Sequence, residues 1–142
     1  MKDIRKIVVF IVDDDPIYRK YIAHLLKKEG NIQLKMFDSV EKCIRAMKHS
    51  PDLIILDYYL DSAEDDNKNG WEALLTIKHT SPDVPVIMLS SEINIEHMMD
   101  CIKFGAKDYI IKGNYTVKRI LTIIKELFVP GYWEMSYGSL SK

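Results

Sequence analysis

The chain has 142 residues, 47% of them hydrophobic and 29% charged, and a net charge of −1. That suits one soluble globular domain rather than a disordered segment, and nothing in it draws the whole molecule to nucleic acid or an anionic membrane. The longest apolar run, Ile7 to Val12, is too short to span a bilayer and too acid-flanked for a secretory signal. Two cysteines, Cys43 and Cys101, are too few for a disulfide framework and fit a reduced, cytoplasmic interior.

Short apolar runs alternate with helical periodicity. Ile7 to Val12 is continuously apolar and predicts a strand buried on both faces. Ile17, Tyr21 and Leu25 recur every four residues, with Ile22 and Leu26 beside them, and predict a helix ending near Gly30. Ile32, Leu34 and Met36 alternate with Gln33 and Lys35, the pattern of an edge strand. Ser39 can cap a helix burying Val40, Cys43, Ile44 and Met47. Leu53 to Leu56 is a second apolar strand, followed by a polar loop and a helix around Trp71, Leu74, Leu75 and Ile77. Val84 and Val86 to Leu89 give a third. Ile95, Met98, Met99 and Ile102 mark a helix closed by Gly105, Tyr109 to Ile111 a last short strand, and Thr116 opens a final helix. Pro130-Gly131 breaks that helix. The expected division is a domain over residues 1–129 and a C-terminal tail or linker stub over 130–142.

Strict alternation of strands and helices predicts a doubly wound α/β fold: a five-stranded parallel sheet in the order 2-1-3-4-5, with helices on both faces. Ligands of such sheets bind beyond the carboxyl ends of the strands. There stand Asp13, Asp14 and Asp15, then Asp57, Ser90 and Lys112. Two carboxylates about 5 Å apart repel by roughly 3 kcal/mol at an effective dielectric near 20. A cluster of them therefore needs cations. Lys112 supplies one charge, and an all-oxygen donor set without histidine or cysteine favours Mg²⁺ over zinc. A carboxylate nucleophile, Mg²⁺, a lysine and a hydroxyl are the parts of a phosphoryl-transfer site.

The segments Ile11–Pro16 (IVDDDP), Pro51–Asp57 (PDLIILD), Pro85–Ser90 (PVIMLS) and Phe104–Lys112 (FGAKDYIIK) resemble the receiver domain of two-component response regulators, over roughly Lys6 to Phe128. The resemblance implies a flavodoxin-like, CheY-like three-layer fold. It implies a signalling switch, not an enzyme, that takes a phosphoryl group onto Asp57 from a sensor histidine kinase or a histidine phosphotransfer protein. Asp13, Asp14, Asp57 and the backbone carbonyl of Tyr59 would hold Mg²⁺. Ser90 and Lys112 would meet the phosphoryl group, and Ser90 and Tyr109 would form the switch. Output would lie on a downstream effector or a further domain, and homodimerisation would use the last helices and strand. No nucleic-acid or membrane binding by this chain is implied.

The sequence departs from the family in three places. Gly113 stands where a proline usually follows the lysine, so this bond is trans or strained. The loop from Asp61 to Asn69 is longer than usual and should be mobile. Tyr59 and Glu92, two residues past the acceptor and the switch hydroxyl, stand where the family's side chains influence how readily water attacks the phospho-aspartate, and the bulk of Tyr59 predicts shielding. Asp15 before Pro16 reads as a helix cap. Asp65 to Gly70 resembles half a calcium loop, but Thr76 replaces the required glutamate. His24, His49, His79 and His97 show no ligand spacing, and Trp71 is expected near the pocket. A haloacid-dehalogenase-type phosphatase would use Asp13 instead, but Ile17 breaks its motif. A pseudo-receiver binding module that never takes phosphate is the other alternative.

Overall fold

A computed structural model describes residues 5–60 and 69–137. The strands are β1 (Ile7–Val12), β2 (Ile32–Phe37), β3 (Leu53–Asp57), β4 (Val86–Ser90) and β5 (Asp108–Ile111). The helices are α1 (Pro16–Leu26), α2 (Val40–Ala46), α3 (Gly70–Thr80), α4 (Ile95–Lys103), α5 (Thr116–Phe128) and α6 (Tyr132–Tyr137). All strand pairs are parallel and the order is β2-β1-β3-β4-β5, as the alternation predicts.

Period-two alternation divides each inner strand between two cores. Phe10, Val12, Ile54, Leu56, Val86 and Met88 pack with α2, α3 and α4 residues such as Cys43, Leu74 and Cys101. Val9, Ile11, Leu53, Ile55, Ile87 and Leu89 face the other way, onto Ile22 and Leu26 of α1 and Ile120 and Ile124 of α5. Both faces are thus covered, which is why these strands read as unbroken apolar runs. β2 lies at an edge, and Ile32 is its one buried residue.

Local chemistry sets the helix ends. Asp15 caps α1, its Oδ1 accepting from the amides of Ile17 at 2.9 Å and Tyr18 at 3.3 Å, with Pro16 in the first turn. Ser39 caps α2, and Asn69 and Asn94 cap α3 and α4. The helix α1 stops at Leu26, one turn before Gly30, which belongs to the turn into β2. Gly105 closes α4 at φ +106°, a conformation that favours glycine. The Lys112–Gly113 bond is trans, since no cis peptide occurs among the described residues. The tail forms the short helix α6 against α5. The expected mobile loop and calcium-like segment fall largely on residues 61–68, outside the described residues.

Gly70 marks the return from that segment. A Cβ there would lie 2.4 Å from Tyr58 Cα and 2.5 Å from the Asp57 carbonyl oxygen, closer than atoms can approach. Only glycine lets α3 begin against the strand end that carries Asp57. Gly70→Ala is expected to lower stability by about 1–3 kcal/mol through overpacking. Urea denaturation checks this, and an unchanged midpoint would refute the close approach.

Candidate functional site

Register places the site. Val12 pairs with Leu56, so Asp13 and Asp57 are the next residues on neighbouring strands. Asp57 pairs with Leu89, and Ser90 with Ile111. The Lys112 amide donates to the Ser90 carbonyl at 2.7 Å, which carries the ladder to the lysine. Four strand tips therefore end at one level, and their side chains meet there.

One carboxylate oxygen from each of Asp13, Asp14 and Asp57 lies within 4.8 Å of the others. Asp13 and Asp57 are 2% and 5% exposed, so water screens them little. Lys112 Nζ is 3.2 Å from Asp13 Oδ2 and 3.4 Å from Asp57 Oδ2. Asp13 is held on its other side by the Asp15 amide, which donates to Oδ1 at 2.9 Å, while Arg19 Nη1 donates to its backbone carbonyl. Asp57 accepts only weakly from the Tyr59 amide, at 3.3 Å. Burial, and then the Asp13 charge, push the Asp57 carboxyl up from 3.8 to about 7, while Lys112 and the Tyr59 amide pull it back. At Asp57, burial and the neighbouring Asp13 charge thus outweigh the Lys112 ammonium. An all-oxygen donor set with surplus negative charge fits a hard divalent cation.

The other expected residues are close but differently engaged. Ser90 is fully buried, and its Oγ donates to the Glu92 carbonyl at 3.0 Å and accepts from the Glu92 amide at 3.1 Å. Its hydroxyl is thus tied to the following turn, not to the carboxylates. The Tyr59 side chain points outward and donates to Glu92 Oε2 at 3.2 Å, a polar strap from the turn after β3 to the turn after β4. Tyr109 is buried, and its hydroxyl has no hydrogen-bond partner among the described residues; burial raises its pKa, and the nearby Ser90 side chain pulls it back.

Three neighbours escape any reading of the sequence alone. Tyr58 stacks on His97 of α4 with centroids 4.5 Å apart and meets Tyr109 edge-on at 6.1 Å, so an aromatic bridge joins β3, α4 and β5. The Tyr18 ring lies 4.2 Å from Lys112 Nζ. No spacing rule reveals either contact, because the partners are far apart in sequence. Trp71, expected at the pocket, packs edge-on against Phe104 at 5.5 Å, so its ring reports on α3–α4 packing.

A doubly wound α/β domain whose strand tips gather acids around a lysine is the architecture of CheY-like receivers. The family model "Response regulator receiver domain" matches residues 9–125, and the chain belongs to that family. It is 36% identical over 115 residues to the nitrogen assimilation regulatory protein NtrX of Azorhizobium caulinodans, covering 81% of this chain and 24% of that protein. The transcriptional regulatory protein MalR of Bacillus subtilis is 32% identical over 106 residues, covering 73% of this chain and 43% of MalR. The crystal structure of the receiver domain of NtrX from Brucella abortus superposes with a TM-score of 0.74 at 27% identity, over 86% of this chain and 98% of that one. The chain therefore spans about a quarter of the length of the first of these and under half of the second. No helix among the described residues is long and apolar enough to cross a membrane.

The charge surplus has a measurable consequence. A carboxyl whose pKa is raised on folding binds more protons folded than unfolded, so it lowers stability as pH rises from about 4 to about 7. In metal-free protein, Asp57→Asn should raise the melting temperature at pH 8, by about 3 °C if roughly 1 kcal/mol is recovered. The gain should vanish near pH 4. Thermal denaturation at both pH values checks this; a gain of equal size at pH 4 would contradict it.

Proposed function

We propose that this chain is a phosphorylation-controlled switch whose acceptor is Asp57. The observation that carries the proposal is the buried Asp57 carboxylate 3.4 Å from the Lys112 ammonium, beside two further carboxylates. An Asp57 oxygen forms the new O–P bond as the N–P bond of a phosphohistidine donor breaks and its imidazole leaves. Lys112 balances charge on the transferred oxygens. Asp13, Asp14, Asp57 and the Tyr59 carbonyl would hold Mg²⁺, which when bound neutralises the same oxygens and the clustered acids. Ser90, released from the Glu92 backbone, would donate to the phosphoryl group. Tyr109, with an unpartnered hydroxyl beside it, would follow, and the stack of Tyr58 on His97 gives α4 a route to respond.

Asp57 suits the nucleophile better than Asp13. Both oxygens of Asp13 already have partners, the Asp15 amide and Lys112, so it is held as a ligand or charge partner. This weighs against the phosphatase reading, and the charged acceptor site weighs against a module that never takes phosphate. Residues 1–129 would form the receiver and 130–142 a linker or tail. The donor would be a sensor histidine kinase or a histidine phosphotransfer protein in the cytoplasm. The output would be a downstream effector or a further domain, with homodimerisation through the last helices and strand.

Incubation with Mg²⁺ and acetyl phosphate should give one base-labile phosphoryl adduct that peptide mapping assigns to Asp57 and that Asp57→Asn abolishes. Mapping to Asp13 would favour the phosphatase, and no adduct the binding module. The bond between Tyr59 and Glu92 joins the turns after β3 and β4; if that strap shields the acceptor, Tyr59→Ala should speed loss of the phosphoryl group severalfold. A dephosphorylation rate equal to that of the unaltered chain would show that the strap does not shield it.

A further inference from the structure

Lys112 has a long side chain with large rotamer freedom, and glycine, the least restrained backbone unit, follows it. A Cβ at Gly113 would meet nothing within 4 Å, so packing does not fix the turn there. Yet Lys112 Nζ sits between Asp13 and Asp57. Those two ion pairs hold its tip, and further contacts hold the backbone that carries it.

One hydroxyl holds the backbone on both sides of the lysine. Thr116 is 2% exposed. Its Oγ1 accepts from the Gly113 amide at 2.8 Å and donates to the Ile111 carbonyl at 3.1 Å. The Thr116 amide closes the same turn onto the Gly113 carbonyl at 3.3 Å. Thr116 is the first residue of α5, whose capping position, Tyr115, makes no side-chain bond. The threonine hydroxyl is thus directed back into the loop. Any residue but proline at 113 keeps the amide hydrogen that Thr116 accepts, and Gly113 does so here.

The second restraint acts on the ammonium itself. The Tyr18 ring, from the first turn of α1, lies 4.2 Å from Nζ, within cation–π range. Tyr18 is half-buried, and burial pushes its hydroxyl up to about 12, with the Thr116 side chain pulling it back.

We propose that Thr116 is a positioning residue for Lys112, with the Tyr18 ring as its second restraint, and that together they fix the ammonium where the oxygens of a phosphoryl group on Asp57 would lie. This rests on the reading of Asp57 as acceptor.

The test uses the full chain with Thr116→Val, which keeps the shape but removes both hydroxyl bonds, Thr116→Ser, which keeps the hydroxyl, and Tyr18→Leu. At saturating Mg²⁺, Thr116→Val should slow phosphorylation by acetyl phosphate about tenfold or more, with Mg²⁺ affinity close to that of the unaltered chain. Thr116→Ser should restore most of the rate. An unaltered rate in Thr116→Val, a serine variant as slow as the valine one, or Mg²⁺ affinity falling in step with rate would overturn the proposal. If Thr116→Val does not fold, Tyr18→Leu decides: a slowed rate supports the restraint and an unaltered one overturns it. If the unaltered chain itself takes no phosphoryl group, the acceptor reading fails separately. The ¹⁵N-lysine ammonium signal of Lys112 in metal-free protein then decides the positioning: its broadening in Thr116→Val supports the proposal, and an unchanged signal overturns it.

Discussion

Like-charge repulsion at the strand tips is the constraint on which this structure turns. Asp13, Asp14 and Asp57 bring carboxylate oxygens within 4.8 Å of each other, two of the three are buried where water screens poorly, and Lys112 lies against Asp13 and Asp57. Burial first, and then the Asp13 charge, raise the Asp57 carboxyl above the usual carboxylate range. A site of this kind stores unfavourable charge that a cation relieves. On the proposed reading, a phosphoryl group on Asp57 would meet the Lys112 ammonium beside it.

The fold exists to hold that cluster in place. Parallel pairing brings the ends of β1, β3, β4 and β5 to one level, and two apolar cores clamp the strands behind them. Close approach of Gly70 to the Asp57 carbonyl, and the cap that Asp15 places on α1, fix the chain just beyond the tips. Away from the acids, Tyr58 carries contact to His97 and Tyr109, so a change beside Asp57 has packed neighbours on α4 and β5 to act upon. The unpartnered Tyr109 hydroxyl and the locally bonded Ser90 give that region groups able to change partners.

Much of this was legible in the sequence, for physical reasons. Strands covered on both faces show as unbroken apolar runs, as in Ile7 to Val12, and the alternation of Ile32 to Met36 betrayed an edge. The strand ends then picked out Asp13, Asp14, Asp57, Ser90 and Lys112, because a polar residue directly after a buried apolar strand emerges at the carboxyl edge of the sheet, where ligands bind. What stayed hidden depends on contacts that spacing does not encode. Lys112 and Asp13 are 99 residues apart, and the ring of Tyr18 meets the lysine only after the sheet has formed. Thr116 read as a helix start, and the direction of its hydroxyl depends on the turn geometry. Pro130-Gly131 signalled the break after α5, but not the short helix that follows it.

If the clustered acids form one cation-dependent site, that site must bind Mg²⁺ through Asp13. Calorimetric titration of Mg²⁺ into the unaltered chain and into Asp13→Asn tests it most directly. The account predicts one site per chain, weakened about tenfold or more in the variant, a loss of about 1.4 kcal/mol. Equal affinity in both, or no binding to the unaltered chain, would contradict it.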